Sequence, residues 1–365
     1  TSRGLVGSEM CIRDRPFAER LARLRGELQE QGVDGFVLQR TDQHGSEYLP
    51  PGEERLAWLT GFTGSAGQAV ILSAAAAVFT DGRYSVQIAH EVDEALFERC
   101  HITDHPPSRW LRTHLAAEMV LGYDPRLTRK AERERLARLC RDRDVTLVPL
   151  DANPVDRVWD DRPPPPRRPV RRHEERFAGE SSAAKRQRLG EAVGKAGADW
   201  LLVTAADSIA WLLNVRGGDV PFNPLCLSHL LLGADGRVLW FVDSAKLATN
   251  PADSSPPVDD TVEIRAYRAI DDELAGLGLA GAKVLVDPAL NAVGFADLLR
   301  SSGGHVIEGT DPIPAAKACK NETEIKGALD AQRRDGAAMA RFLAWLEGLP
   351  LDGSIDELAA AARLQ

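Results

Sequence analysis

Two short stretches rich in histidine or glycine are the first places where chemistry could reside. His101-Ile102-Thr103-Asp104-His105 carries a His-x-x-x-His spacing, which brings both imidazoles to one metal only on a helix. Pro106-Pro107 follow at once and bias the residues before them away from the α region, so no metal site is expected. Nor does a Glu follow the first His, as in a zinc-protease helix. Gly61-Phe62-Thr63-Gly64-Ser65-Ala66-Gly67 invites comparison with a phosphate loop. A strand-like run follows it at Gln68, where a phosphate site would place a helix N-terminus, so a tight backbone loop is expected instead. No serine stands in a G-x-S-x-G elbow and no cysteine in a reactive signature, so a nucleophile has no visible carrier. The acid pairs Asp160-Asp161, Asp259-Asp260 and Asp271-Asp272 fall between periodic segments and are expected to be solvated.

One segment differs in kind. In Phe79-Thr80-Asp81-Gly82-Arg83-Tyr84 an apolar strand ends in Asp-Gly and a guanidinium follows. Strand ends are where α/β domains place ligand contacts. Arginine's fixed fork of donors suits a carboxylate or carbonyl. The same residues also describe an Arg83 that merely pairs with Asp81 or a helix end.

The elements that must position this segment follow from the pattern along the chain. With 365 residues, the length predicts two or three domains, each with its own core. The net charge of −9 argues against nucleic acid as a partner. No run of about 18 apolar residues is present, so no membrane span is expected. The five cysteines, Cys11, Cys100, Cys140, Cys226 and Cys319, lie far apart with no C-x-x-C pair. That fits a reduced, cytoplasmic chain and supplies no zinc-ligand spacing. Arginine far outnumbers lysine, as expected of a GC-rich, bacterial gene. Residues 1–15 resemble a translated sequencing adapter and stand outside the expected fold. The other end, Glu357–Gln365, stops within an Ala-rich helical pattern without a capping Gly or Pro, as a cut gene would.

The plan of the first half is repeated in the second. A helix (Phe17–Gln31), a strand-like run (Gly32–Leu38), a helix carrying Leu56-Ala57-Trp58-Leu59 and strands Gln68–Leu72 and Ala77–Asp81 come first. Helix Ser181–Ala196, run Gly197–Val203, Ile209-Ala210-Trp211-Leu212 and hairpin Leu227–Leu232 with Val238–Asp243 answer them, turned by Ala234-Asp235-Gly236. Val120–Pro125 matches Val284–Pro288, and each leads through a helix to a last strand, Val145–Pro149 or His305–Glu308. Two α/β domains with mixed sheets and flanking helices follow, spanning 16–159 and 173–315. Between them, residues 160–172 hold Pro163-Pro164-Pro165-Pro166 and Arg167, Arg168, Arg171 and Arg172, read as a stiff, solvated linker. From Lys320 a long helical period begins, so 316–365 is expected to open a third domain.

Several segments together resemble the long, three-domain Xaa-Pro aminopeptidases, metallopeptidases with the creatinase, or pita-bread, fold. In the first half they are Asp42-Gln43-His44-Gly45-Ser46-Glu47-Tyr48, Thr60–Gly67 and Thr80-Asp81-Gly82-Arg83-Tyr84. Val155–Trp159 with Asp161-Arg162-Pro163, Ile209–Val220 with Asn223-Pro224, and Lys320-Asn321-Glu322-Thr323-Glu324-Ile325 continue the likeness in order. The resemblance implies two creatinase-type N-terminal domains and the first helices of a truncated pita-bread domain. It implies removal of the N-terminal residue from peptides with proline second, by two divalent ions, usually manganese, that activate a bridging water. Their ligands, two Asp, one His and two Glu in that family, would lie downstream of Gln365, leaving this fragment inactive and without a catalytic or metal residue of its own. The resemblance makes Arg83 the substrate-binding residue, with Asp81 and Tyr84 orienting it; His44 and Glu47 lie in a matching segment without an assigned role. It also implies a homodimer only for the full-length protein. Two alternatives stand beside it: a non-catalytic peptide- or protein-binding module, such as the aminopeptidase-like domain of a histone-chaperone subunit, and a prolidase or creatinase, which usually have a single N-terminal domain.

Overall fold

The computed structural model describes residues 15–247, 256–350 and 355–364; the expected adapter segment lies almost wholly outside them. Two six-stranded mixed sheets carry the fold. The first contains β1 (Gly35–Gln39), β2 (Gln68–Leu72), β3 (Ala76–Thr80), β4 (Glu98–His101), β5 (Val120–Tyr123) and β6 (Thr146–Pro149), in the order β4-β3-β2-β1-β5-β6. A short strand β7 (Arg171–Arg172) opens the second half. There β8 (Trp200–Val203) is followed by β9 (Val215–Arg216), which pairs with β7, then β10 (His229–Gly233), β11 (Val238–Val242), β12 (Val262–Ala266), β13 (Lys283–Val286) and β14 (His305–Glu308). The second large sheet runs β12-β11-β10-β8-β13-β14.

These two orders are the same order. In each copy the first strand pairs antiparallel with the second and parallel with the fifth, and the third pairs parallel with the fourth. The sequence repeat is therefore a repeat of topology. Central strands buried on both faces read as continuous apolar runs, as in Leu230-Leu231-Leu232 of β10 and Val238–Val242 of β11.

Helices cover both faces. In the first domain, Leu21, Leu24 and Leu28 of helix Arg15–Glu30 pack with Phe36, Leu38 and Ile71 on one face. Trp110 and Leu111 of helix Pro107–His114 and Leu136 and Leu139 of helix Lys130–Asp142 cover the other. The second domain repeats this with helices Ser182–Lys195 and Ala206–Leu213 on one side and Ile270–Leu279 and Val293–Ser301 on the other. Side chains such as Trp110 and Phe295 are fully buried, each contributing about 1.5–3 kcal/mol of transfer free energy.

The linker arginines and the acid pairs keep the solvent exposure expected of them, and tertiary contacts add to it. Arg167, Arg168, Arg171 and Arg172 are exposed, while Val170 is buried with its N–H donating to Lys246 O and Arg167 pairs with Asp243. Arg162 is clamped by Glu53 and Asp156. One member of each acid pair also meets a cation. Asp160 pairs with Arg23, Asp259 with Arg186, and Asp271, in the first turn of helix Ile270–Leu279, with Arg126 at 2.6 Å. These cations are remote in sequence, so local reading could not find them.

Candidate functional site

The Gly61–Gly67 loop is steric in purpose. Gly61 closes helix Arg55–Thr60 at φ +82°, a left-handed conformation that favours glycine. A Cβ on Gly67 would stand 2.9 Å from the Phe62 ring. The chain wraps this fully buried ring and then enters β2 at Gln68. That wrapping delivers Ser65 to the C-terminal end of β3, where its Oγ lies 2.5 Å from the Tyr84 hydroxyl.

At that strand end Asp81 caps a single 3-10 turn, Gly82–Tyr84, by accepting from the Arg83 N–H. The same carboxylate accepts from Arg83 Nε at 3.0 Å and from Nη2 at 2.8 Å. The pairing of Arg83 with Asp81 is therefore present, and the Arg83 side chain remains 65% exposed. The pair occupies one edge of the guanidinium, and the ring of Tyr84 lies 5.2 Å from its carbon. The Nη1 edge makes no hydrogen bond among the described residues and can meet a carbonyl or carboxylate in solvent. Hydrogen bonding to Arg83 holds the Asp81 carboxyl below its usual range, and the bond to Ser65 draws Tyr84 down. The structure thus brings Arg83, Asp81 and Tyr84 together on one exposed rim.

A cleft of about 680 Å³ lies between the two domains. Arg40, on the cleft wall, ties first-domain segments together: its Nη1 donates to Ser65 O and Glu47 O, and its Nη2 pairs with Glu54 at 2.6 Å. Glu47 is exposed on the cleft wall. His44 is buried at the domain junction, its Nδ1 3.0 Å from Thr204 O and its Nε2 2.9 Å from the Tyr267 hydroxyl. A carbonyl only accepts, so Nδ1 carries the proton and Nε2 accepts from Tyr267. His44 therefore joins the domains, and its partners His229 and Tyr267 are residues that sequence reasoning missed. Their signal is purely tertiary. His101 and His105 do not converge: His101 pairs with Asp104, and His105 faces the Cys100 thiol at 3.7 Å.

Among the described residues no three His, Cys, Asp or Glu side chains gather to hold a metal ion. The donor set required by two divalent ions is not met by them. No helix among the described residues is long and apolar enough to cross a membrane.

Residues 20–158 and 161–324 each match the Creatinase/Prolidase N-terminal domain. The chain belongs to the creatinase/prolidase family. Its two creatinase-type domains coincide with the two sheets, and the whole arrangement superposes on the X-prolyl aminopeptidase of Caenorhabditis elegans, described as a cytosolic enzyme with a di-nuclear active site. That match has a TM-score of 0.84 and 27% identity, covering 95% of this chain and 59% of the worm chain. The probable Xaa-Pro aminopeptidase P of Aspergillus clavatus is 36% identical over 363 residues, covering 95% of this chain and 54% of its own length. That of Aspergillus niger is 34% identical, with 95% and 58% covered. This creatinase-family chain thus spans about half the length of the curated relatives it matches.

Proposed function

We propose that the whole protein is an Xaa-Pro aminopeptidase and that this chain forms its peptide-facing portion. The observation that carries the reading is the match of both domains, in one continuous superposition, to the worm enzyme. The exposed Arg83 fork agrees with it, since an extended peptide offers carbonyls to such a donor. Here Asp81 and Tyr84 orient Arg83, and Arg83 binds the peptide. Residues 16–159 and 173–315 serve as substrate-side domains joined by 160–172, and 316–365 begin a catalytic domain. Supporting that last point, helix Glu322–Glu347 leaves Ile325, Leu329, Leu343 and Leu346 exposed.

The two divalent ions, manganese in this reading, would be held by residues other than those described. A cytoplasmic setting, a bacterial source and a homodimer of the full-length protein belong to the same proposal. The test is release of the first residue from peptides that differ only in the second position. The longer protein, supplied with Mn²⁺, is expected to cleave an Xaa-Pro peptide and to spare its Xaa-Ala counterpart. Equal cleavage of both, or of neither, contradicts the reading.

A further inference from the structure

A turn on the second-domain side of the interdomain cleft holds an aromatic ring that no described residue covers. Phe222 is 95% exposed, and its backbone lies at φ +61°. It follows Pro221 in the turn Val220-Pro221-Phe222-Asn223, closed by the Asn223 N–H donating to Val220 O. Proline holds the first central residue at negative φ, so a positive φ at the second makes this a type II turn. That second position favours glycine or asparagine. Asparagine stands one residue further on, and the turn places phenylalanine there instead. The other described non-glycine residues with positive φ, Glu118, Asp144 and Asn214, are all polar. Backbone strain and an apolar ring in water are thus two costs met at one residue.

The surrounding chain holds the turn in this form. Gly217 N–H donates to Pro224 O, Asp219 N–H to Leu225 O and Leu225 N–H to Asn223 O. The two legs lie so close that a Cβ on Gly217 would stand 2.5 Å from Leu225 O. Beneath them, the buried Asp219 carboxylate pairs with Lys246 and accepts the Leu227 N–H. A strained residue persists only where its surroundings over-determine it, and such residues gather at ligand contacts.

Both ends of the turn, Val220 and Asn223, line the cleft. The first domain contributes Tyr48, 53% exposed, together with Gln39 and Gln68, which face each other in the β1–β2 register. Carboxamides both donate and accept, which suits the N–H and C=O groups of an extended peptide. Aromatic rings suit its apolar side chains.

We propose that Phe222 is a specificity residue: the cleft takes an extended peptide, and this ring packs on an apolar side chain of it. That the occupant is a peptide rests on the aminopeptidase reading; that the contact is apolar rests on Phe222 itself.

The test is calorimetric titration of the 365-residue chain with Gly-Pro-Leu-Leu and with Gly-Pro-Ser-Ser. The leucine peptide is expected to bind about fivefold or more tightly. Phe222→Asn should level the two affinities. The same variant should melt about 1–3 °C higher, since asparagine accepts the turn's φ with less strain. Phe222→Tyr keeps the ring and should keep the preference. Equal binding of the two peptides by the parent chain, binding of neither, or a preference that survives in Phe222→Asn overturns the proposal. A lower melting temperature in Phe222→Asn does so too, because the ring would then be a structural anchor. So does self-association of the chain that Phe222→Asn abolishes, since a second copy would then cover the ring. Xaa-Pro cleavage by the longer protein is measured separately, and its failure would leave the apolar preference of this chain unchanged.

Discussion

His44 of the first domain stacks on His229 of the second, with ring centroids 4.6 Å apart and planes inclined by 25°. His44 is hydrogen-bonded through both nitrogens, whereas His229 is fully buried with neither nitrogen satisfied. Tyr267 and Phe295 close the remaining sides of the His229 ring. Burial, with lesser contributions from His44 and Arg126, holds His229 well below the ordinary 6.5. The junction of the domains is thus built around one histidine that bonds and one that cannot.

The two histidines should respond oppositely to replacement. His229→Phe removes two unsatisfied buried nitrogens at similar shape and is expected to stabilise the chain by about 1–3 kcal/mol. His44→Ala strands Thr204 O and the Tyr267 hydroxyl and should cost about the same. In the parent chain, the unfolded state takes up a proton below pH 6.5 that folded His229 does not, so stability falls as pH drops through that value. Denaturant unfolding from pH 8 to 5 should show this slope, reduced in His229→Phe.

Asp311 carries the opposite sign. Burial, reinforced by Asp287, raises its carboxyl to about 6 from 3.8. The folded state therefore binds the extra proton between these values, and this group's contribution to stability rises as pH falls from 6 to 3.8. Asp311 Oδ1 accepts from the Ile313 N–H, a role that an amide oxygen keeps. Asp311→Asn is expected to add about 1–3 kcal/mol at pH 7.5 and nothing below pH 4. Unfolding curves at the two pH values provide the check.

Asp219 and Lys246 form a buried ion pair at 2.6 Å, with side chains 0% and 5% exposed. Asp219 also accepts the Leu227 N–H, fastening a loop whose Val220, Asn223 and Leu225 line the cleft. Asp219→Ala should destabilise by about 3–5 kcal/mol, because it leaves a buried ammonium uncompensated. Replacing both with apolar residues of similar volume should restore much of that loss. Thermal melts of the single and double variants give the comparison.

The duplicated topology was legible because both copies keep the same apolar strands and Asp-Pro turns, as in Val120–Pro125 and Val284–Pro288. Hairpin β10–β11 was legible from Ala234-Asp235-Gly236, where Gly236 adopts φ +83°. Arg83 and its two neighbours were legible as a motif, because all three lie within four residues. What joins the domains was not. Arg126 meets Asp271, Arg133 meets Asp297 and Lys130 meets Glu308, pairs separated by well over a hundred residues. No local period records such contacts. The linker's long-range ion pairs were hidden for the same reason: Asp243 and Glu53, which meet Arg167 and Arg162, arrive from elsewhere in the chain.

The most direct test of the peptide-facing rim is steady-state kinetics of the longer protein carrying Arg83→Ala, on one Xaa-Pro peptide. Arg83 is exposed and supports no core contact beyond Asp81 and Tyr84, so the melt and metal content should not change. A fall in kcat/KM of about ten- to a hundredfold, with partial recovery in Arg83→Lys, is the expected result. Unaltered kcat and KM would remove Arg83 from the site and contradict the account.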